Sequence, residues 1–152
     1  MAWSNSKVFA AFVLNTLDRG VAFDLDTDVP KVALYDNDIT PDNTVTLANT
    51  AYNVGQWTAT GNEVTDTNWP AGGVVLSGHD VTQTSNVIKF DATDTTHSST
   101  VTLANVHGCL VYDDTVTGDY GISYHYFGGS NGVTGGTFTV VWNTSGIFTI
   151  TC

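Results

Sequence analysis

Apolar and polar positions alternate most clearly in the last third of the chain, Asp119 to Cys152. Three short runs there, Ile122–Phe127, Thr137–Trp142 and Gly146–Thr151, are rich in β-branched and aromatic residues. Gly-rich and Asn-Thr-Ser-Gly stretches separate them, which predicts strand, loop, strand, tight turn, strand. Side chains on a strand alternate faces, so Phe138, Val140 and Trp142 are expected inward, with Thr139 and Thr149 outward. The glycine-rich stretch 128–136 reads as a flexible hairpin loop. It lacks the lysine of a phosphate-binding loop and joins two strands, where such a loop precedes a helix.

One helix is predicted, over Lys7–Asp18. Phe9, Phe12, Val13 and Leu17 recur at i, i+3, i+4 and i+8; Ser4-Asn5-Ser6 offers an N-cap and Gly20 a C-cap. Val8, Ala10, Ala11 and Leu14 make the rest of its surface apolar too. Such a helix needs covering on more than one side, in part by its own domain and in part by a partner. Trp3, Phe9, Phe12, Val13 and Leu17 are therefore the candidate interface residues. Beyond it, Ala22–Asp28 alternates with its aspartates on one face, and Lys31–Tyr35 is a clear strand. Residues 44–69 are loop-like, anchored by Tyr52, Trp57 and Trp69. Ala71–Gly78, Asn86–Asp91, Ser99–Ala104 and Cys109–Tyr112 are further strands. One helix followed by eight to ten short strands predicts a mainly β chain. The expected layout is an N-terminal arm and apolar helix over 1–20, then a single β-sandwich or barrel-like domain over 21–152.

Composition narrows the partners. The 152 residues carry 4 Lys and Arg against 15 Asp and Glu, a net charge of -11. Such a surface repels phosphate, so neither nucleic acid nor an anionic membrane is an expected partner. The N-terminus lacks a basic region followed by an apolar run and a cleavage site, and no stretch reaches bilayer-spanning length. Synthesis in a cytoplasm and a soluble product are the expectation. Cys109 lies in an apolar run and reads as a buried thiol; Cys152, the last residue, reads as frayed or at an interface.

Candidate chemistry is sparse. Asp24, Asp26 and Asp28 have the alternation that opens a calcium loop, but Val29 and Tyr35 stand where that loop needs glycine and glutamate. Asp91, Asp94 and His97 form a second acidic group, and Asp113 with Asp114 a third; turn-capping explains both. Four scattered histidines make no HExxH, no GxSxG frames a serine, and Glu63 is the sole glutamate. No catalytic residue, metal or cofactor is expected.

Several strings resemble a known family: Trp3-Ser4-Asn5-Ser6-Lys7, Lys31–Tyr35, Pro41–Thr44, Asn49–Tyr52, Val111–Asp114, Tyr126–Gly129, Thr134–Val140 and Gly146–Phe148. Together they are similar to small β-rich virion proteins of tailed bacteriophages, chiefly those of actinobacteria. The resemblance spans nearly the whole chain and rests on structural strings, not catalytic signatures. It implies a non-enzymatic virion structural protein, foremost a capsid decoration (cement) protein on the outside of the head. The implied partners are the major capsid protein and further copies of itself, as a homotrimer. A tail component, at the tip or as a fibre-like receptor-binding module, is the alternative it leaves open.

Overall fold

A computed structural model describes residues 3–152; residues 1 and 2 of the predicted arm lie outside the described residues. The strands are β1 (Lys7–Val8), β2 (Pro30–Tyr35), β3 (Val74–Val75), β4 (Asp80–Thr84) and β5 (Val87–Asp91), then β6 (Thr95–Thr96), β7 (Val101–Asp113), β8 (Gly121–Gly136), β9 (Thr139–Val140) and β10 (Phe148–Thr151). Two short helices, α1 (Ala10–Asp18) and α2 (Leu47–Thr50), and a 3₁₀ turn (Gly55–Trp57) complete the described elements. Among the described residues the fold is mainly β, 40% strand and 11% helix, with antiparallel sheets of five, three and two strands and no closed barrel. The five-stranded sheet has the order β1-β8-β7-β2-β3, the three-stranded one β10-β5-β4, and β6 pairs with β9.

The long β7–β8 pair is the spine. Register places Leu110 opposite Tyr124 and Ala33 opposite Leu110, so Ala33, Tyr35, Leu110, Tyr112 and Tyr124 share one face. An aromatic layer closes over that face. Trp57 lies 5.2 Å from the Tyr35 ring and 5.8 Å from those of Trp3 and Tyr124, and Phe9 meets it edge-on at 6.0 Å. The Tyr35 hydroxyl donates to the Trp57 carbonyl at 2.7 Å, which ties the loop-like 44–69 segment to the sheet. The opposite face carries Cys109, Val111, Ser123 and His125, with Trp142 packed 5.2 Å from the His125 ring. Val140 and Trp142 are buried and Thr139 and Thr149 exposed, as alternation requires.

Tertiary pairing overrides several local expectations. The helix begins at Ala10, not Lys7, because Lys7 and Val8 pair with Tyr124 and Ser123 as an edge strand. The residues expected to cap the helix serve β8 instead: Ser6 Oγ accepts from the Tyr126 amide at 3.0 Å, and Asn5 Oδ1 from the Tyr124 hydroxyl at 3.3 Å. Arg19, with φ 60°, takes the left-handed C-cap position expected of Gly20. Stretch 128–136 is strand, not loop. It runs along β7 through register shifts, with positive φ at Gly128 (80°), Gly129 (156°) and, across the ladder, Asn105 (59°). Glycine accepts such angles without steric cost, so the bulges bend the ladder and leave it intact. The last three strands do not form a meander: β8, β9 and β10 belong to three different sheets. Cys109–Tyr112 continues the strand that begins at Val101, and Ala71–Gly78 keeps only a two-residue strand. At Gly73, with φ 76°, an added Cβ would lie 1.9 Å from the Val32 carbonyl oxygen, so the chain there must approach β2 as bare backbone.

Candidate functional site

An apolar groove of about 380 Å³ lies between α1, the loop that follows it and the three-stranded sheet. Strand register builds its floor. Phe148 lies opposite Phe90 and Ile150 opposite Ile88, while Val81 on β4 lies opposite Phe90, so all five side chains fall on one face. Helix α1 supplies Phe12, Val13 and Leu17, and the following loop supplies Phe23 and Leu25. Phe12 bridges the two, edge-on to Phe23 at 4.9 Å and to Phe148 at 6.3 Å.

The predicted interface residues separate sharply. Trp3 and Phe9 are buried in the chain's own core, and Phe12, also buried, contributes to the groove lining. Phe9 precedes the helix in extended conformation, so the helical face on which it was grouped with Leu17 does not exist. Val13 is half-buried on the groove wall, and Leu17 is 79% exposed at its lip. Leu14, 59% exposed, and Ile150, 41% exposed, extend the apolar surface. Leu14 and Leu17, three positions apart on the helix, form an exposed apolar surface beside the groove. Ile150 was legible only as strand pattern, because its face is set by pairing with β5.

The acidic rim is built by the Asp24–Asp28 segment, which is a turn and not the strand its alternation predicts. The Thr27 and Asp28 amides donate to the Asp24 carbonyl at 3.0 and 2.8 Å. Asp24 Oδ1 accepts from the Asp26 amide at 3.2 Å, and Asp26 Oδ1 accepts from the Val81 amide at 2.7 Å, fixing the loop to β4. The carboxylates that suggested calcium are thus occupied with backbone amides. Asp91 likewise pairs with Lys89 at 2.8 Å, Asp94 accepts from the Trp142 amide, and His97 accepts from the Ser99 amide. Among the described residues no group of three or more metal-binding side chains converges. No described helix is long and apolar enough to cross a membrane.

Two polar clusters inside the fold were not foreseen. Ser123 Oγ lies 3.0 Å from His125 Nε2, but Ser123 is wholly buried, and burial lowers the His125 pKa to about 4, which keeps the ring neutral. That contact faces the core, not a substrate. The other cluster joins Asp28 and Asp113, which are 8% and 0% exposed. Asp113 Oδ1 accepts from the Thr115 and Val116 amides, Asp28 Oδ2 accepts from the Asp24 amide, and the buried Asp113 Oδ2 has no hydrogen-bond partner. Spacing along the chain gave no sign of this pair, whose members stand 85 positions apart.

Both cysteines are free, Cys109 buried and Cys152 exposed. Desolvation pushes the Cys109 thiol far above its ordinary pKa, and thiolate is the reactive form. An aromatic disulfide reagent at pH 8 is therefore expected to titrate one thiol per native chain rapidly and a second only after unfolding. Two fast thiols would contradict the burial of Cys109.

Compared with known proteins, the chain matches no family model, no curated protein and no solved structure.

Proposed function

We propose that the protein is a non-enzymatic bacteriophage virion structural protein, foremost a capsid decoration protein that binds the outside of the head and bridges coat subunits. The five- and three-stranded sheets then act as the two layers of one rigid β-sandwich. The observation that carries the reading is the groove itself: an apolar trough with Leu17 at its lip, whose polar lining residues Thr16, Asp24 and Asp26 are engaged with the chain's own backbone. A surface of that kind buries area against another protein and holds no substrate in register. The resemblance of the sequence strings to phage virion proteins supplies the setting. The major capsid protein and further copies of the same chain, as a homotrimer, are the partners on this reading, and the capsid surface is its place. The high negative charge suits an outward face that must stay soluble before assembly.

A tail component is the second reading, favoured by the aromatic and glycine content of β8. Copy number per particle separates the two. Quantifying the chain in purified virions, with imaging of its position, is expected to give hundreds of copies on the head lattice. A handful of copies at the tail would favour the second reading, and absence from the particle would end both.

A further inference from the structure

We propose that the free edge of β10 pairs with the same edge of a second copy of this chain, antiparallel about a two-fold axis through Ile150, so that two three-stranded sheets become one. The contact is read from the backbone of the strand and does not rest on the virion reading. Being two-fold, it is separate from any three-fold contact of a homotrimer.

Hydrogen-bond alternation shows what the edge offers. The Cys152 amide donates to the Asn86 carbonyl at 2.8 Å, which makes 152 and 86 a bonded pair. Bonded pairs recur at every second residue of an antiparallel ladder, so Phe148 and Ile150 also turn their backbone groups toward Phe90 and Ile88. Thr149 and Thr151 turn their N–H and C=O groups outward, and no described residue bonds these four groups. The other edge of the sheet obeys the same alternation but is covered: the outward Val81 amide of β4 donates to Asp26 Oδ1 at 2.7 Å. The unpaired stretches of β7 and β8 are broken by register shifts, and bulges of that kind twist an edge away from neighbours. β10 has no such device, and neither lysine nor proline blocks it.

The strand is its own complement. Antiparallel about Ile150, Thr149 stands opposite Thr151 of the second copy and Thr151 opposite its Thr149, and every outward group is bonded. Shifting the axis to Thr149 would set Thr151 opposite Ile147, whose amide is already bonded to the Phe90 carbonyl. Side chains agree with this register. Ile150, 41% exposed, meets its counterpart on the groove face and extends the apolar floor into the next copy, while threonine faces threonine on the other side. Charge also favours a second copy here. A chain of net charge -11 repels itself wherever its carboxylates lie, yet residues 120–152 hold no Asp, Glu, Lys or Arg. The flanking Lys89 and Asp91 are paired with each other at 2.8 Å. Strands this short bury well under the roughly 1,200 Å² of a stable interface, so the pair exchanges rapidly in dilute solution and trapping is the suitable readout.

The test is disulfide trapping in a Cys152→Ser background, where the remaining native thiol, Cys109, is buried. Residues opposed in a non-bonded pair have Cα atoms about 4.5 Å apart, within disulfide reach, so Ile150→Cys is expected to give a covalent dimer under oxidised glutathione. Thr149→Cys and Thr151→Cys, displaced from the axis, are expected to give at least about tenfold less. Thr151→Pro removes an outward amide and none bonded to β5, so adding it is expected to abolish the Ile150→Cys dimer. Equal trapping at all three positions, preference for Thr149, or a dimer that survives the proline would overturn the pairing. In the wild-type chain, hydrogen exchange of the Thr149 and Thr151 amides, followed by NMR, is expected to slow as protein concentration rises, while the outward Gln83 amide of β4 stays unchanged. Exchange independent of concentration would overturn the pairing even if a cysteine variant failed to fold.

Discussion

On the proposed virion reading, replacing Leu14 and Leu17 together with glutamine is expected to reduce attachment to the particle at least about tenfold while leaving the fold intact. Both side chains are mostly exposed, at 59% and 79%, so they contribute little to the chain's own core. Exposed substitutions of this kind change stability by about 0.5 kcal/mol or less. Glutamine has nearly the helix propensity of leucine and adds no charge at the helix C-terminus. A tenfold loss corresponds to about 1.4 kcal/mol, a modest demand for two neighbouring exposed leucines, one of which lines the groove. Occupancy on particles assembled with the variant measures it, and urea unfolding verifies the fold. Val141→Gln is the control: Val141 is 72% exposed but does not line the groove. Equal occupancy for all three chains would remove the groove from the interaction.

Trp3→Ala is expected to be the most costly single truncation near the N-terminus, at about 3–5 kcal/mol, the usual range for a buried tryptophan. The ring is buried among Trp57, Tyr124 and Tyr126, and its Nε1 donates to the Asp36 carbonyl at 2.6 Å. Its loss opens a cavity over the central strands and frees the arm that carries β1. For a chain of this length the melting temperature should fall by roughly 10 °C. Trp3→Phe, which keeps a ring but not the donor, should cost less. A drop below about 1 kcal/mol for the alanine variant would mean that the arm does not close the core in solution. The same logic limits any assay that deletes the residues before Lys7: lost occupancy on particles could then report a weakened fold, so stability must be measured beside it.

Legibility differed by element for physical reasons. Short apolar alternations fixed the β class and the inward faces of Val140 and Trp142, because period-two patterning is local. Tyr52, Trp57 and Trp69 were identifiable as anchors of an irregular segment, since large aromatics in a polar stretch have few other uses. Helix α1 was visible, but its start was not. Lys7 and Val8 fit helix periodicity and fit an edge strand equally well, and only the presence of β8 beside them decides. Of the five residues grouped as interface candidates, Phe12, Val13 and Leu17 line the groove, whereas Trp3 and Phe9 are enclosed by aromatic partners far along the chain.

What the sequence determined by itself is what depends on neighbours in the chain: a mainly β backbone, one N-terminal helix, its acidic surface and the inward alternation of its strands. What the tertiary structure decided is everything that depends on which distant segments meet. It turned a glycine-rich stretch into a bulged strand and distributed three consecutive strands among three sheets. Hydrophobic and polar patterning specifies which side of an element is buried; it carries no record of the element on the other side.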